Sequence, residues 1–193
     1  MLTKDDWSKL KRMVEYLKGT PDLHLVLSMN SGIPVAKWFV DAGFVVHGDF
    51  KSHTGSCLML GDDAVISSSS KQKLNTRSST EAKLVECDDA IGKILWTLRL
   101  QGFAPQQNII YQDNQSAILL EKKGFSSAGM WMRHINVRCF FIKDCVDRGE
   151  VIVEYCNTKN VIADFLTKPL QGKAFLISRI PFWEKFRRSV VAE

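Results

Sequence analysis

Four acidic residues define the chemistry that this 193-residue chain could perform. Asp41 follows an apolar run within FVDAGF, Glu81 lies in the first turns of a long helical pattern, Asp113 ends a second apolar run, and Asp164 sits among Val161, Ile162, Phe165 and Leu166. Each has an ordinary explanation on its own. Asp41 suits a turn before Gly43, Ser78-x-x-Glu81 has the spacing of a capping box, Asp113 suits a helix cap, and Asp164 a solvated helix position. Together they recur where a core contact or a strand end is expected. Four poorly solvated carboxylates meeting at one sheet edge would repel strongly, and divalent cations relieve that repulsion. Hard oxygen ligands without histidine or cysteine select magnesium or manganese over zinc. Two such ions about 4 Å apart activate a water and steady the leaving oxygen in phosphodiester cleavage. The chemistry implied is hydrolysis of a nucleic-acid backbone.

The elements that must position these acids are legible in the hydrophobic spacing. Leu84, Cys87, Ile91, Leu95 and Leu98 fall at steps of three and four, which predicts a long amphipathic helix, capped by Ser78 and running to Leu100. Residues 3–18 predict an earlier helix with Trp7, Leu10, Val14 and Leu17 on one face. Alternation at Leu23, Leu25 and Leu27 suits a strand, and further strands are expected from Pro34 to Val40, near Thr54 to Leu60 and from Ala64 to Ser69. Asn108 to Gln112 reads as a buried parallel strand whose end, at Asp113 and Asn114, starts a helix from Gln115 to Lys123. This strand, acid, helix order is how open α/β sheets gather sites at carboxyl edges. A helix from Trp131 to Asp147 with Ile135, Cys139, Ile142 and Val146 inward, a strand through Val151, Val153 and Tyr155, and a helix capped by Asn157 and Thr158 and running through Thr167 complete the pattern.

Composition sets bounds without naming a function. Hydrophobic residues make up 45% of the chain, enough for one domain with flanking structure. No run of apolar residues long enough to span a membrane and no signal-peptide pattern occur, so a soluble, intracellular protein is expected. Five dispersed cysteines, never in CxxC spacing, argue for packed, reduced thiols and against structural zinc. The net charge of +5 is weak evidence, because 171–190 carries Lys173, Arg179, Lys185, Arg187 and Arg188 against Glu184 alone. In that tail Phe182, Trp183 and Phe186 interleave with basic residues, which suits a helix docked by its aromatics and, alternatively, a grip on nucleic acid.

The runs FVDAGF, SSSSKQKLNTRSSTEAKLVE, YQDNQSAILLEKKG, RHINVRCFFIKD and VIADFLTKPLQG, in that order, resemble the ribonuclease H domain in the polyprotein of copia-type LTR retrotransposons. SSTEA, QDNQSA and ADFLTKPL in sequence give the likeness its specificity. It implies an α/β ribonuclease H-like fold, with a mixed five-stranded sheet, three antiparallel strands then two parallel, flanked by helices. It also implies a layout of residues 1–32 joining a reverse transcriptase to the domain, 33–170 forming the domain, and 171–193 a basic aromatic tail. By the same resemblance, Asp41, Glu81, Asp113 and Asp164 are the catalytic, metal-binding acids, holding two Mg2+ ions for which Mn2+ substitutes. The implied substrate is the RNA strand of an RNA–DNA hybrid, told apart by its 2′-hydroxyls across the minor groove. By the resemblance Gln115 is placed like the amide that reads that groove, Asn75, Arg77, Ser78 and Ser79 lie at a helix start that suits phosphate, with a solvated loop the alternative for Asn75 and Arg77, and Arg133 and His134 are candidate nucleic-acid contacts, with a structural role at a helix start the alternative for His134. The expected partner is the reverse transcriptase domain of the same polyprotein, with no membrane and no small-molecule cofactor, and the expected setting is the cytoplasm, within a virus-like particle. The chain departs from the pattern at Gly43, where a second acid is usual, and at Trp131, where a basic residue is usual. It also has no histidine between Val151 and Asp164, where cellular ribonucleases H carry one.

Overall fold

Strands rich in Val, Ile, Phe and small residues form one five-stranded sheet, and helices cover both of its faces. The computed structural model describes residues 3–22, 35–60, 63–100, 105–124, 135–168, 170, 172–173 and 175. The strands are β1 (Val35–Gly43), β2 (His53–Leu60), β3 (Asp63–Lys71), β4 (Gln107–Gln112) and β5 (Ile152–Tyr155), in the spatial order β3-β2-β1-β4-β5. β1, β2 and β3 pair antiparallel, whereas β4 lies parallel to β1 and β5 parallel to β4. This is the expected mixed sheet.

The helices are α1 (Lys4–Gly19), α2 (Ser79–Leu100), α3 (Gln115–Lys123), α4 (Asn136–Asp147) and α5 (Asp164–Thr167). On one face, Ala36, Trp38, Val40 and Ile110 of the sheet meet Cys87, Ile91 and Ile94 of α2, all buried. A second cluster, Leu84, Ala117, Leu120, Ile135 and Cys139, ties α2 to α3 and α4. On the other face Cys57, Met59 and Ala64 pack with Phe39, Ile162 and Leu166. Each fully buried Ile or Leu contributes about 1.5–3 kcal/mol, so these clusters fix where α2 and α5 lie.

Several boundaries differ from expectation for physical reasons. β1 runs on through Asp41 to Gly43, because its pairing with β2 continues to Gly43 opposite His53, so Asp41 is a strand residue and not the start of a loop. The last helix is broken in two. A single 3-10 turn spans Thr158–Asn160, and α5 starts only at Asp164. The buried phase of α2 includes Ile94, with Leu95 only partly buried. α1 caps as expected, with Thr3 and Asp6 in a reciprocal capping box, yet it has no buried residue, and Trp7, Leu10, Val14 and Leu17 are all exposed. The expected strand at Leu23 to Leu27, and Trp131, Arg133, His134 and most of the tail, lie outside the described residues. The five cysteines are free, four of them buried, and burial pushes the Cys57 thiol up to about 11. No helix among the described residues is long and apolar enough to cross a membrane.

Candidate active site

Side chains alternate along β1, so Ala36, Trp38 and Val40 point to α2 while Phe39 and Asp41 point to the face that carries α5. Asp113 directly follows β4, whose parallel pairing with β1 brings the two carboxyl ends side by side. There the two carboxylates share one cation. Lys83 Nζ, on the second turn of α2, lies 2.5 Å from Asp41 Oδ1 and 2.8 Å from Asp113 Oδ1. All three side chains are largely out of water, at 6%, 14% and 8% exposure for Asp41, Asp113 and Lys83. The ammonium thus stands in for a cation between two acids, and the pair is suited by charge, oxygen chemistry and position to a metal ion.

Hydroxyl groups orient both carboxylates. Thr167 Oγ1 of α5 donates to Asp41 Oδ2, and Thr158 Oγ1 donates to Asp113 Oδ2 at 2.9 Å. The Thr167 hydroxyl also lies 3.0 Å from the Asp164 carbonyl, which links Asp41 to the helix that carries the fourth acid. α5 can approach this closely because Gly55, the partner of Asp41 on β2, has no side chain. A Cβ there would meet Thr167 Cγ2 at 2.8 Å and the Ala163 carbonyl at 2.9 Å.

The other two acids have different partners. Glu81 is buried and its Oε2 accepts from the Arg77 backbone N–H at 2.7 Å, while its own N–H donates to Ser78 Oγ at 3.2 Å. This is a capping arrangement shifted back by one residue from the expected box. Asp164 Oδ1 accepts from Lys168 Nζ. Among the described residues no three acids, histidines or cysteines are grouped as metal ligands, so as the side chains stand only Asp41 and Asp113 meet. Asn75, Arg77 and Ser79 are exposed at the start of α2 and Gln115 is exposed at the start of α3, beside Asp113. Ser78 is half-buried and its hydroxyl serves the cap.

Burial works against the charge on Lys83, but Glu86, Asp41 and Asp113 outweigh it and hold its pKa above the usual lysine range. Burial likewise opposes the charge on Asp113, and the Lys83 hydrogen bond and charge prevail, holding its carboxyl group below the usual range. Glu86, one turn beyond Lys83 on α2, is completely buried. Burial above all pushes its carboxyl group well up, against the attraction of Lys83. No side-chain donor reaches either Glu86 oxygen, and what favours its charged form is the Lys83 ammonium first and the Asp41 backbone amide after it.

Lys83, Glu86, Thr158, Thr167 and Gly55 were not legible as site residues. Lys83 carried one signal, a lysine two residues after Glu81 and one before the inward Leu84, on a helix face that the stripe makes buried.

No family model matches the chain. It is 34% identical over 187 residues to the retrovirus-related Pol polyprotein from transposon RE2 of Arabidopsis thaliana, covering 91% of this chain. It is 31% identical over 178 residues to the corresponding polyprotein from transposon TNT 1-94 of Nicotiana tabacum, covering 89% of this chain. The chain spans only 12% and 13% of those polyproteins. Among solved structures, the LC11 ribonuclease H1 in complex with an RNA/DNA hybrid superposes with a TM-score of 0.53 at 12% identity, covering 72% of this chain and 99% of that one. Another structure of LC11 ribonuclease H1, isolated from compost by a metagenomic approach, gives 0.52 at 14% identity over 69% and 93% of the two chains. The chain thus belongs to the retrovirus-related Pol polyproteins of copia-type transposons, of which it is a segment with the ribonuclease H fold.

Proposed function

We propose that this segment is a divalent-metal-dependent endoribonuclease that cuts the RNA strand of an RNA–DNA hybrid, working beside the reverse transcriptase domain of the same polyprotein. The observation that carries the proposal is the convergence of Asp41 Oδ1 and Asp113 Oδ1 on one cation at the carboxyl edge of the parallel pair β1 and β4. Polyprotein relatives and a ribonuclease H fold support it.

Asp41 and Asp113 would hold the metal, with Glu81 and Asp164 as further ligands once their side chains turn from the α2 cap and from Lys168. Mg2+ suits this all-oxygen set, with Mn2+ as substitute. When bound, two such ions supply an activated water and a stabilised leaving oxygen. The residues of the chain do the positioning. Thr167 and Thr158 fix the Asp41 and Asp113 carboxylates, and Gly55 lets α5 close on β2 so that Asp164 lies one turn from the Asp41 partner. The exposed Gln115 is assigned to the minor groove of the hybrid, and Asn75, Arg77 and Ser79 at the α2 start to phosphate, with Ser78 supporting that turn. Arg133 and His134, which lie outside the described residues, are proposed as nucleic-acid contacts by the sequence resemblance alone.

A second reading follows from Lys83 and Lys168, each of which already neutralises an acid of the site. It is a catalytically weakened module that binds hybrid without cutting it. Incubation of a labelled RNA–DNA hybrid with Mg2+, beside duplex DNA, separates the two. Cutting of the hybrid alone supports the nuclease, and binding without cutting supports the weakened module.

A further inference from the structure

Lys83 is an unusual neighbour for a metal site, because its ammonium fills the space between the two acids that a divalent ion would bridge. The ammonium lies 2.5 Å and 2.8 Å from the two Oδ1 atoms, and a divalent ion held by the same two atoms would need the position it occupies. Removing the ammonium to bulk water is also unfavourable, since the lysine stem is packed in the interior and its residue is 6% exposed. A second acceptor is at hand inside the protein. Glu86 lies three residues further along α2, on the same face of the helix, fully buried and with no side-chain hydrogen-bond donor on either oxygen, only the Asp41 backbone amide approaching it. A buried carboxyl group with so few donors is costly to keep unless some state of the protein satisfies it.

We propose that Lys83 is a resident counter-cation of the Asp41–Asp113 pair, which a divalent ion displaces, and that Glu86 receives the displaced ammonium. The inference rests on the nuclease reading for the identity of the divalent ion but not for the displacement itself. Without metal, Lys83 holds the two carboxylates together and keeps the edge of the sheet from repelling itself. With metal, the ammonium turns to Glu86, whose charged form its approach favours over burial, so the lysine keeps an acceptor and the Asp41 and Asp113 oxygens are released to the ion. Lys83 and Glu86 are therefore positioning residues that set the metal concentration at which the site fills.

Direct binding of Mn2+, followed by the loss of the free-ion paramagnetic resonance signal, tests this without reference to cleavage. Lys83→Met, which keeps the stem and removes the charge, is expected to bind Mn2+ about ten-fold or more tightly than the wild type, the scale of one lost competing ion pair. Glu86→Gln is expected to weaken Mn2+ binding several-fold, because the displaced ammonium has lost its acceptor. The double variant Lys83→Met/Glu86→Gln removes both buried charges, guards against a folding defect in the single variant, and is expected to bind as tightly as Lys83→Met. Unchanged or weaker Mn2+ binding in both lysine variants would overturn the proposal, as would a Glu86→Gln effect that persists when Lys83 is gone. Tight Mn2+ binding by Lys83→Met without hybrid cutting by any variant would sink the nuclease reading and leave the displacement standing. Cutting by the wild type together with unchanged Mn2+ binding in the variants would do the reverse.

Discussion

Asp41, on β1, and Asp113, just past the end of the parallel strand β4, both accept from the Lys83 ammonium, at 2.5 Å and 2.8 Å. Two acids separated by 72 positions in the chain meet there because α2 and β4 return the backbone to the edge of β1. Close packing of α5, hydroxyl contacts and the buried face of α2 keep that edge in place, and each can be tested.

Gly55 tests the first of these. A methyl group there would lie within 2.9 Å of the Ala163 carbonyl and Leu166 Cβ, and backbone cannot give way as a side-chain tip can. Gly55→Ala is expected to push α5 off β2, costing about 1–3 kcal/mol in stability and at least about ten-fold in hybrid cleavage. Thermal unfolding and a cleavage time course measure the two effects. A variant as stable and active as the wild type would mean that α5 does not need this close approach.

Thr158 tests the orientation of Asp113. Its hydroxyl donates at 2.9 Å to Asp113 Oδ2 from an exposed turn, so Thr158→Val removes the donor with little packing change. Cleavage is expected to fall about three- to ten-fold, as for one lost solvent-exposed hydrogen bond of ordinary strength, with stability within about 1 kcal/mol of the wild type. Unchanged cleavage would show that Asp113 is held well enough by other groups.

The inward phase of α2 can be tested by truncation. Ile91 is fully buried in the main cluster, whereas Trp96, on the same helix, is 59% exposed. Ile91→Ala is expected to cost about 2–5 kcal/mol and Trp96→Ala less than about 1 kcal/mol, measured by denaturant unfolding. Comparable losses would place the α2 face differently.

Glu121 makes stability depend on pH. It is fully buried, and burial pushes its carboxyl group up to about 7, against the hydrogen bond from Gln112 Nε2 at 2.9 Å. Between its ordinary value of 4.5 and about 7 the folded chain holds a proton that the unfolded chain has released. This contribution is therefore complete below pH 4.5, declines as pH rises, and is lost above about pH 7. Its size is on the order of 1–3 kcal/mol. Glu121→Gln is expected to flatten that part of the stability profile in urea unfolding across this range, and an unchanged slope would contradict it.

How far the sequence carried these conclusions depends on the kind of signal. Periodicity located α2, β4, α3 and β5 closely, because each has a strong inward stripe or run, whereas the mixed sheet of antiparallel and then parallel strands was implied by the family resemblance. It misplaced the end of β1 because Gly43 looks like a turn, while strand pairing opposite His53 holds it extended. It joined the last two helical pieces because Asn157 and Thr158 are good caps, although the Thr158 hydroxyl is taken up by Asp113. Asp41 and Asp113 were legible from their place at apolar strand ends. Lys83 and Glu86 were not, since spacing shows that a face is buried but not which charged residues share it. The partners of Glu81 and Asp164, the Arg77 amide and Lys168, are local contacts that the motif could not reveal.

The most direct measurement is the cutting of a labelled RNA–DNA hybrid in Mg2+ by the wild type and by Asp113→Asn, with a chelator as control. The expected result is 5′-phosphate RNA fragments from the wild type, none after chelation, and a rate lower by about a hundred-fold or more for Asp113→Asn, whose fold remains intact by circular dichroism. Equal cutting by Asp113→Asn, or an intact hybrid with the folded wild type, would contradict a site built on Asp41 and Asp113.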